Sequence, residues 1–331
     1  MRVGLVVIDE DPAVAVKVAK AADRAGVHSI WTIDYYNRGS LARAAAFAAA
    51  TERTLVGTSV TPLFARAPLA TAAAVADIQR VAEGRFVFGV GTSTRRMNQD
   101  WYGVELDHPA PRLGERIGLV RELLRHERGP FRFDGRFDRV VMAHFDHVTG
   151  PTEVPVMAAG VGPAMVQAAG THGDGFVGHP IASVDYLRDH ARPRLAAARG
   201  SLDGFVVSSQ IIAAASDDAV AARDAAAAQV GFYSTVKGYD ALFPGGEFTE
   251  ERAAARAAFA QGDVAGVTAA AGPLTADRAV HGTTDDVAKQ LTRYAGTLDW
   301  ALLYPPHFGV SPEAITANEY ALIEVAACWT S

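Results

Sequence analysis

Short, fully apolar runs alternate along the chain with longer stretches whose apolar positions recur at helical spacing, and this alternation predicts strands and helices in succession. Residues 3–8 form a continuous apolar run short enough for a buried strand, followed by the polar turn Asp9, Glu10, Asp11 and Pro12. Helical spacing covers 13–25 and stops at Gly26. A second strand, 29–33, leads into Asp34, Tyr35, Tyr36, Asn37 and Arg38, and Ser40 is the expected N-cap of a helix over 41–51. The β-branched run 54–60 suits a third strand. Pro62, Arg66 and Pro68 then hold the chain open before a helix over 69–82 that ends at Glu83 and Gly84. A fourth strand, 85–90, runs into the small residues Gly91, Thr92 and Ser93. Strand, loop, helix and strand make a βαβ unit, and ligands bind at the strand C-terminal ends of parallel α/β folds.

Beyond Ser93 the pattern loosens. The stretch 95–111, with Trp101 and Tyr102 among polar residues, is too long for a simple connection and reads as a functional loop or lid. A helix is expected over 113–126, and Asp134-Gly135 between aromatic-containing arms signals a hairpin over 129–139. Four more strands fall at 154–158, 175–177, 205–214 and 300–304. Helices run from Gly162-Pro163 through Ala169 and over 184–199, 218–230, 285–295 and 312–327, while 232–273 interrupts the rhythm as an insertion. Eight strand–helix units with no flexible linker favour a single α/β domain over 1–331, a (β/α)₈ TIM barrel with insertions, over a doubly wound sheet.

Composition narrows the function. Of 331 residues, 49% are hydrophobic and 21% charged, which fits a soluble globular protein with ample core. A net charge of −6 without a basic block argues against a nucleic-acid partner. The N-terminal apolar run is too short to span a bilayer and lacks a leader pattern, so no membrane partner is expected and the cytoplasm is the default compartment. Cys328, the single cysteine, lies in an apolar helix and reads as a buried, inert thiol. His144 and His147 near Asp146 lack compact metal-ligand spacing, so no metal is assigned. Without a GxSxG element or paired catalytic carboxylates, hydrolase chemistry is not expected.

Four stretches in order carry a likeness: AADRAGVHSIWTIDYYNR, GTSVTPLFARAPLATAAAVADIQRVAEGRFVFGVGTS, PVMAAGVGPAMVQAAGTHGDGFVGHP and HGTTDDVAKQL. Together they resemble the bacterial luciferase-like oxidoreductase superfamily over nearly the whole chain. The likeness is greatest to its coenzyme F420-dependent branch, which includes methylenetetrahydromethanopterin reductase and F420-dependent dehydrogenases. The resemblance implies a flavin or deazaflavin ring at the C-terminal mouth of the barrel. It also implies a non-prolyl cis peptide at Ser59–Val60 bulging against that ring, with Thr92 beside the ring or its ribityl chain. Ala159, Gly160, Val161 and Gly162 join a strand to a helix and can offer backbone N–H groups to an anion, though glycines there also serve a tight turn. The likeness favours a cofactor phosphate at this loop, with Gly178 as a further cofactor contact. On that reading a bulky residue at Gly160 should cost cofactor affinity and little folding. Gly89-Val90-Gly91 lacks the third glycine of a Rossmann fingerprint.

Related deazaflavin enzymes commonly carry Asp-His where this chain has Asp34-Tyr35, and that His can serve in proton transfer. Tyrosine, with an ordinary pKa near 10, is a poor base at neutral pH, so Tyr35 and Tyr36 can equally wall the pocket. Val6 stands where the methylenetetrahydromethanopterin reductase pattern has Glu, which argues against that reaction. His179 ends the sixth strand and can face the mouth as an acid or donor, His307 follows the last strand, and Asp9 and Glu10 read as a solvated turn. The function implied is a coenzyme F420-dependent oxidoreductase moving a hydride between the ring and a small organic substrate. Asp34, Tyr35 and His179 would surround the reacting atoms, with 95–111 and 232–273 as substrate loops. The alternatives are an FMN-dependent monooxygenase, using reduced flavin and oxygen with a reductase partner, and a non-catalytic flavin-binding relative. Many relatives are homodimers, so a homodimer is expected.

Overall fold

A computed structural model describes residues 1–144 and 150–329; Asp146 and His147 lie outside the described residues. The strands are, in chain order, β1 (Arg2–Val6), β2 (Ser29–Thr32), β3 (Leu55–Thr58), β4 (Thr61–Pro62), β5 (Phe86–Gly91), β6 (Phe131–Asp134), β7 (Arg139–Met142), β8 (Val156–Ala159), β9 (Gly175–Gly178), β10 (Val206–Ala215), β11 (Ala279–Gly282) and β12 (Trp300–Tyr304). Parallel pairing runs β1, β2, β3, β5, β8, β9, β10, β12 and back to β1, which closes an eight-stranded barrel. The eight expected strands are these eight.

The helices α1 (Pro12–Ala25), α2 (Ser40–Ala50), α3 (Pro68–Val81), α4 (Pro109–Arg125), α5 (Pro163–His172), α6 (Arg192–Arg199) and α7 (Ala219–Ser234) follow successive strands. Asp11 caps α1 by accepting from the Ala13 N–H, and Gly26 ends it in the left-handed region at φ 77. The insertion is more helical than the sequence suggested: after a 3₁₀ turn, Lys237–Leu242, come α8 (Thr249–Ala260), α9 (Val264–Ala270) and α10 (Gly272–Arg278). It then leads to β11, which the sequence did not reveal because only four residues with a polar His281 among them form it. β10 is ten residues long, so β9 pairs with its first half and β11 with its last four residues. Then α11 (Thr284–Leu291) and α12 (Pro312–Cys328) complete the wall.

Two local expectations shift. The β6–β7 hairpin turns through Gly135–Asp138, and its second arm is Arg139–Met142, beyond the expected limit. Glu115 of α4 accepts the N–H groups of Arg136, Phe137 and Asp138, and this external carboxylate sets the wider turn. Cys328 is exposed, not buried. In the last turns of α12, Leu322, Ile323, Val325 and Ala326 take the inward positions, and helical phase leaves 328 facing out.

The register puts Gly4, Trp31, Gly57, Gly89 and Gln210 on one face of the sheet. Gln210 reaches Ser59 on the opposite wall, so this face is the barrel interior. Trp31 is fully buried and fills the lower interior, its indole N–H donating to Ser29 Oγ at 2.8 Å. A Cβ at Gly57 would lie 2.3 Å from the Trp31 ring, so the small residue makes room for the large one. The filled floor leaves the C-terminal mouth as the end where a ligand can meet the strand ends. Among the described residues no helix is long and apolar enough to cross a membrane, and no His, Cys, Asp and Glu group could hold a metal ion.

Candidate active site

At the mouth, the Ser59–Val60 peptide is cis, as the likeness implied. The two glycines of Gly89-Val90-Gly91 serve this segment and not an anion. A Cβ at Gly89 would sit 1.7 Å from the Thr58 carbonyl oxygen, and one at Gly91 2.7 Å from Val60 Cγ2. Gln210 on β10 donates its side-chain amide to both Ser59 O and Ser59 Oγ, each at 2.7 Å.

Asp34 is largely buried and committed on both oxygens. Oδ1 pairs with Arg66 at 3.0 Å and Oδ2 accepts from Ser40 Oγ. Ser40 is therefore not an N-cap: Gly39 occupies that position, and the hydroxyl is spent on Asp34 and on Thr61 Oγ1 at 2.8 Å. A carboxylate engaged this way orients Arg66 and the β2 loop rather than offering itself as a base.

Tyr35 begins a continuous belt of rings around the mouth. Its ring meets Trp101 of the 95–111 stretch at 5.4 Å and His307 at 6.1 Å; His307 meets Tyr304 at 5.7 Å, and Tyr304 meets Tyr233 at 6.2 Å. Tyr233 and Tyr239 then close on His179, at 4.9 and 3.9 Å. Tyr233 Oη donates to Tyr304 Oη at 2.9 Å, and Tyr304 Oη lies 3.4 Å from His307 Nδ1. Burial raises the pKa of Tyr35, with Tyr36 adding to the shift, and burial pushes Tyr304 up to about 12. All of these phenols are neutral at physiological pH.

His179 accepts the Ile181 N–H at Nδ1, 3.3 Å away, and burial pushes its pKa down to about 3. Its ring is neutral with the proton on Nε2, which makes it a hydrogen-bond donor there and not a general acid. Burial lowers His307 to about 4.

The loop after β8 divides. Gly160 is required by packing: a Cβ there would lie 2.7–2.8 Å from the backbone of Met165 and Val166 in α5. A bulky residue at 160 therefore strikes the fold itself, contrary to the expectation that folding would be spared. Gly162 faces open space, with no atom within 4 Å of an added Cβ, and α5 begins there without a capping side chain. Ala159 and Val161 are partly exposed, and the Val161 carbonyl accepts from the Tyr186 hydroxyl. Thr92 is also partly exposed, its carbonyl accepting from Asn98 Nδ2 at 2.6 Å. Gly178 alternates outward, where a Cβ would meet Ser209 Oγ at 2.5 Å and Leu187 at 3.1 Å, so it packs behind the barrel wall and does not face the mouth.

Asp9 is not in a solvated turn. It is buried and accepts from Thr316 of α12, while Arg43 donates to its carbonyl. Beside it, fully buried Glu319 accepts the N–H groups of Ile8 and Asp9 at 2.6 and 3.0 Å, and burial raises its pKa to about 8. Sequence reasoning also missed Gln210, Tyr233, Tyr239 and Tyr304. The signal for Gln210 was the polar run Ser208, Ser209, Gln210 inside a buried strand.

The luciferase-like monooxygenase description matches residues 3–299. The chain belongs to this family. An uncharacterised protein of Mycobacterium tuberculosis, Rv1360, is 32% identical over 237 residues, 68% of this chain and 69% of that protein. The 5,10-methylenetetrahydromethanopterin reductase of Archaeoglobus fulgidus is 26% identical over 281 residues, 82% of this chain and 83% of the reductase. In three dimensions, the luciferase-like barrel is matched by the coenzyme F420 dependent tetrahydromethanopterin reductase of Methanopyrus kandleri with a TM-score of 0.81. That match has 20% identity and covers 97% of each chain, which speaks to the fold.

Proposed function

We propose that this family member is a coenzyme F420-dependent oxidoreductase that moves a hydride between the deazaflavin ring and a small organic substrate. The observation that carries this reading is a mouth that holds the cis Ser59–Val60 segment and the uncharged rings of His179 and Tyr239. Such a chamber suits a cofactor that brings the redox chemistry with it, and relatives named as F420-dependent support the choice. The residues fit the group. The uncapped start of α5 beside the open face of Gly162 can hold a phosphate, while Ser59 and Val60 would lie against the ring. When bound, the deazaflavin supplies a two-electron hydride carrier.

The protein's own part is positioning. His179 and the tyrosine hydroxyls orient the substrate as donors, the Asp34–Arg66 pair fixes the β2 loop, and the ring belt excludes water. The stretches 95–111 and 232–273 contribute Trp101 on one side, and Tyr233 with Tyr239 on the other. We include a homodimer and a cytoplasmic location in this proposal.

A second reading, an FMN-dependent monooxygenase, is favoured by the family's own description. Anaerobic mixing of the protein with coenzyme F420 and a panel of alcohols, ketones and enones distinguishes them. Change in deazaflavin absorbance without oxygen supports hydride transfer. Oxygen consumption seen solely with reduced FMN supports the second reading.

A further inference from the structure

We propose that His179 and Tyr239 form a paired-donor site for the oxygen of an uncharged, apolar-bodied carbonyl compound or its alcohol. The inference rests on the oxidoreductase reading and adds the substrate class.

His179 and Tyr239 pack ring against ring, with centroids 3.9 Å apart and planes tilted by 43°. The Ile181 N–H occupies His179 Nδ1, so Nε2 carries the proton and has no acceptor among the described residues. The Tyr239 hydroxyl likewise has no hydrogen-bond partner among the described residues, and both residues are half-buried. Two such donors, unmet by the protein, can both be taken up by one ligand oxygen, which has two lone pairs to accept them. Both donors are neutral, which suits a carbonyl or hydroxyl oxygen and gives an anion no counter-charge.

The surroundings agree. Arg38, which lies 5.7 Å from the Tyr35 ring centroid, donates to the Ile8 carbonyl and pairs with Glu10. Arg66 is spent on Asp34. Fully buried Arg278 donates to the Leu242 and Ile181 carbonyls and pairs with Glu247 and Asp277, thereby pinning the 3₁₀ turn that carries Tyr239. None of these three guanidinium groups is available to a phosphate. Beside the donors stands Tyr233, with Tyr304 against it, an aromatic wall that suits a flat or cyclic apolar body.

The test uses the full chain saturated with oxidised F420, and in parallel the chain without cofactor. Cyclohexanone labelled with ¹³C at its carbonyl is the probe, and glucose 6-phosphate is the anionic comparison. Carbonyl NMR should show a downfield shift on binding in the native protein. In Tyr239→Phe, which keeps the ring against His179, the shift should fall by half or more and the dissociation constant rise about tenfold. Unchanged F420 affinity in that variant, read by fluorescence, shows that the fold is intact. Tighter binding of glucose 6-phosphate than of cyclohexanone would overturn the proposal, as would a Tyr239→Phe protein with native shift and affinity. Because F420 binding is read separately, failure of the cofactor reading is distinguished from failure of the donor pair.

Discussion

The Gln210 side chain crosses the barrel and donates to both the carbonyl and the hydroxyl oxygen of Ser59, each at 2.7 Å. The pair ties the middle of β10 to the end of β3 on the facing wall. It sits above the Trp31 floor and below the ring belt, so it joins the packed half of the barrel to the open half.

Replacing Gln210 with Met keeps the volume and leaves two buried acceptors without their donor. The expected cost is about 1–3 kcal/mol, read as a lower midpoint in urea unfolding with an unchanged slope. A variant as stable as the native protein would show that water or another donor meets Ser59 instead.

Gly160 and Gly162 should separate folding from binding. Gly160→Ala places a methyl group against the α5 backbone and should lower stability by about 1–3 kcal/mol in thermal or urea unfolding. Gly162→Leu has ordinary backbone angles of φ −82 and ψ 164 and open space for its side chain. It should unfold like the native protein yet bind a phosphate-bearing cofactor at least about tenfold more weakly, roughly the loss of one good hydrogen bond to a charged group. Reversal of this order would reassign the loop.

Glu319 sets a pH dependence whose sign is fixed by its raised pKa. The folded protein holds this proton to about pH 8, whereas the unfolded chain releases it near the ordinary glutamate value. Its contribution is therefore complete at low pH and is lost as pH rises between those two values, by up to about 1.4 kcal/mol per pH unit. Glu319→Gln keeps an acceptor for the Ile8 and Asp9 N–H groups and removes the titration. Measured by urea unfolding, the variant should gain on the native protein steadily from pH 5 to pH 8. A constant difference across that range would show that Glu319 is ionised in the folded state.

The eight barrel strands were legible because each is a short apolar run between turn residues, a signal that depends on a few neighbouring positions. β11 was not, since four residues give no periodicity and its pairing is supplied by the overhanging end of β10. Ser40 carries the side chain of a helix cap, but tertiary contact with Asp34 overrides the local preference. Asp34, Tyr35 and His179 were readable as strand-end residues. The roles of Tyr233 and Tyr239 were not, because the insertion folds them back on His179 from more than fifty residues away in sequence. Gly160 and Gly178 look alike in sequence to glycines that approach a ligand. Only the neighbouring atoms, the α5 backbone for one and Ser209 for the other, reveal that packing requires them.

The cofactor claim is tested most directly by titrating the purified chain with coenzyme F420 and, separately, with oxidised and reduced FMN, following absorbance and fluorescence. Saturable, tight binding of F420 with weak binding of both FMN forms is the result predicted. Tight binding of reduced FMN with no response to F420 would contradict it and make the mouth a flavin monooxygenase site.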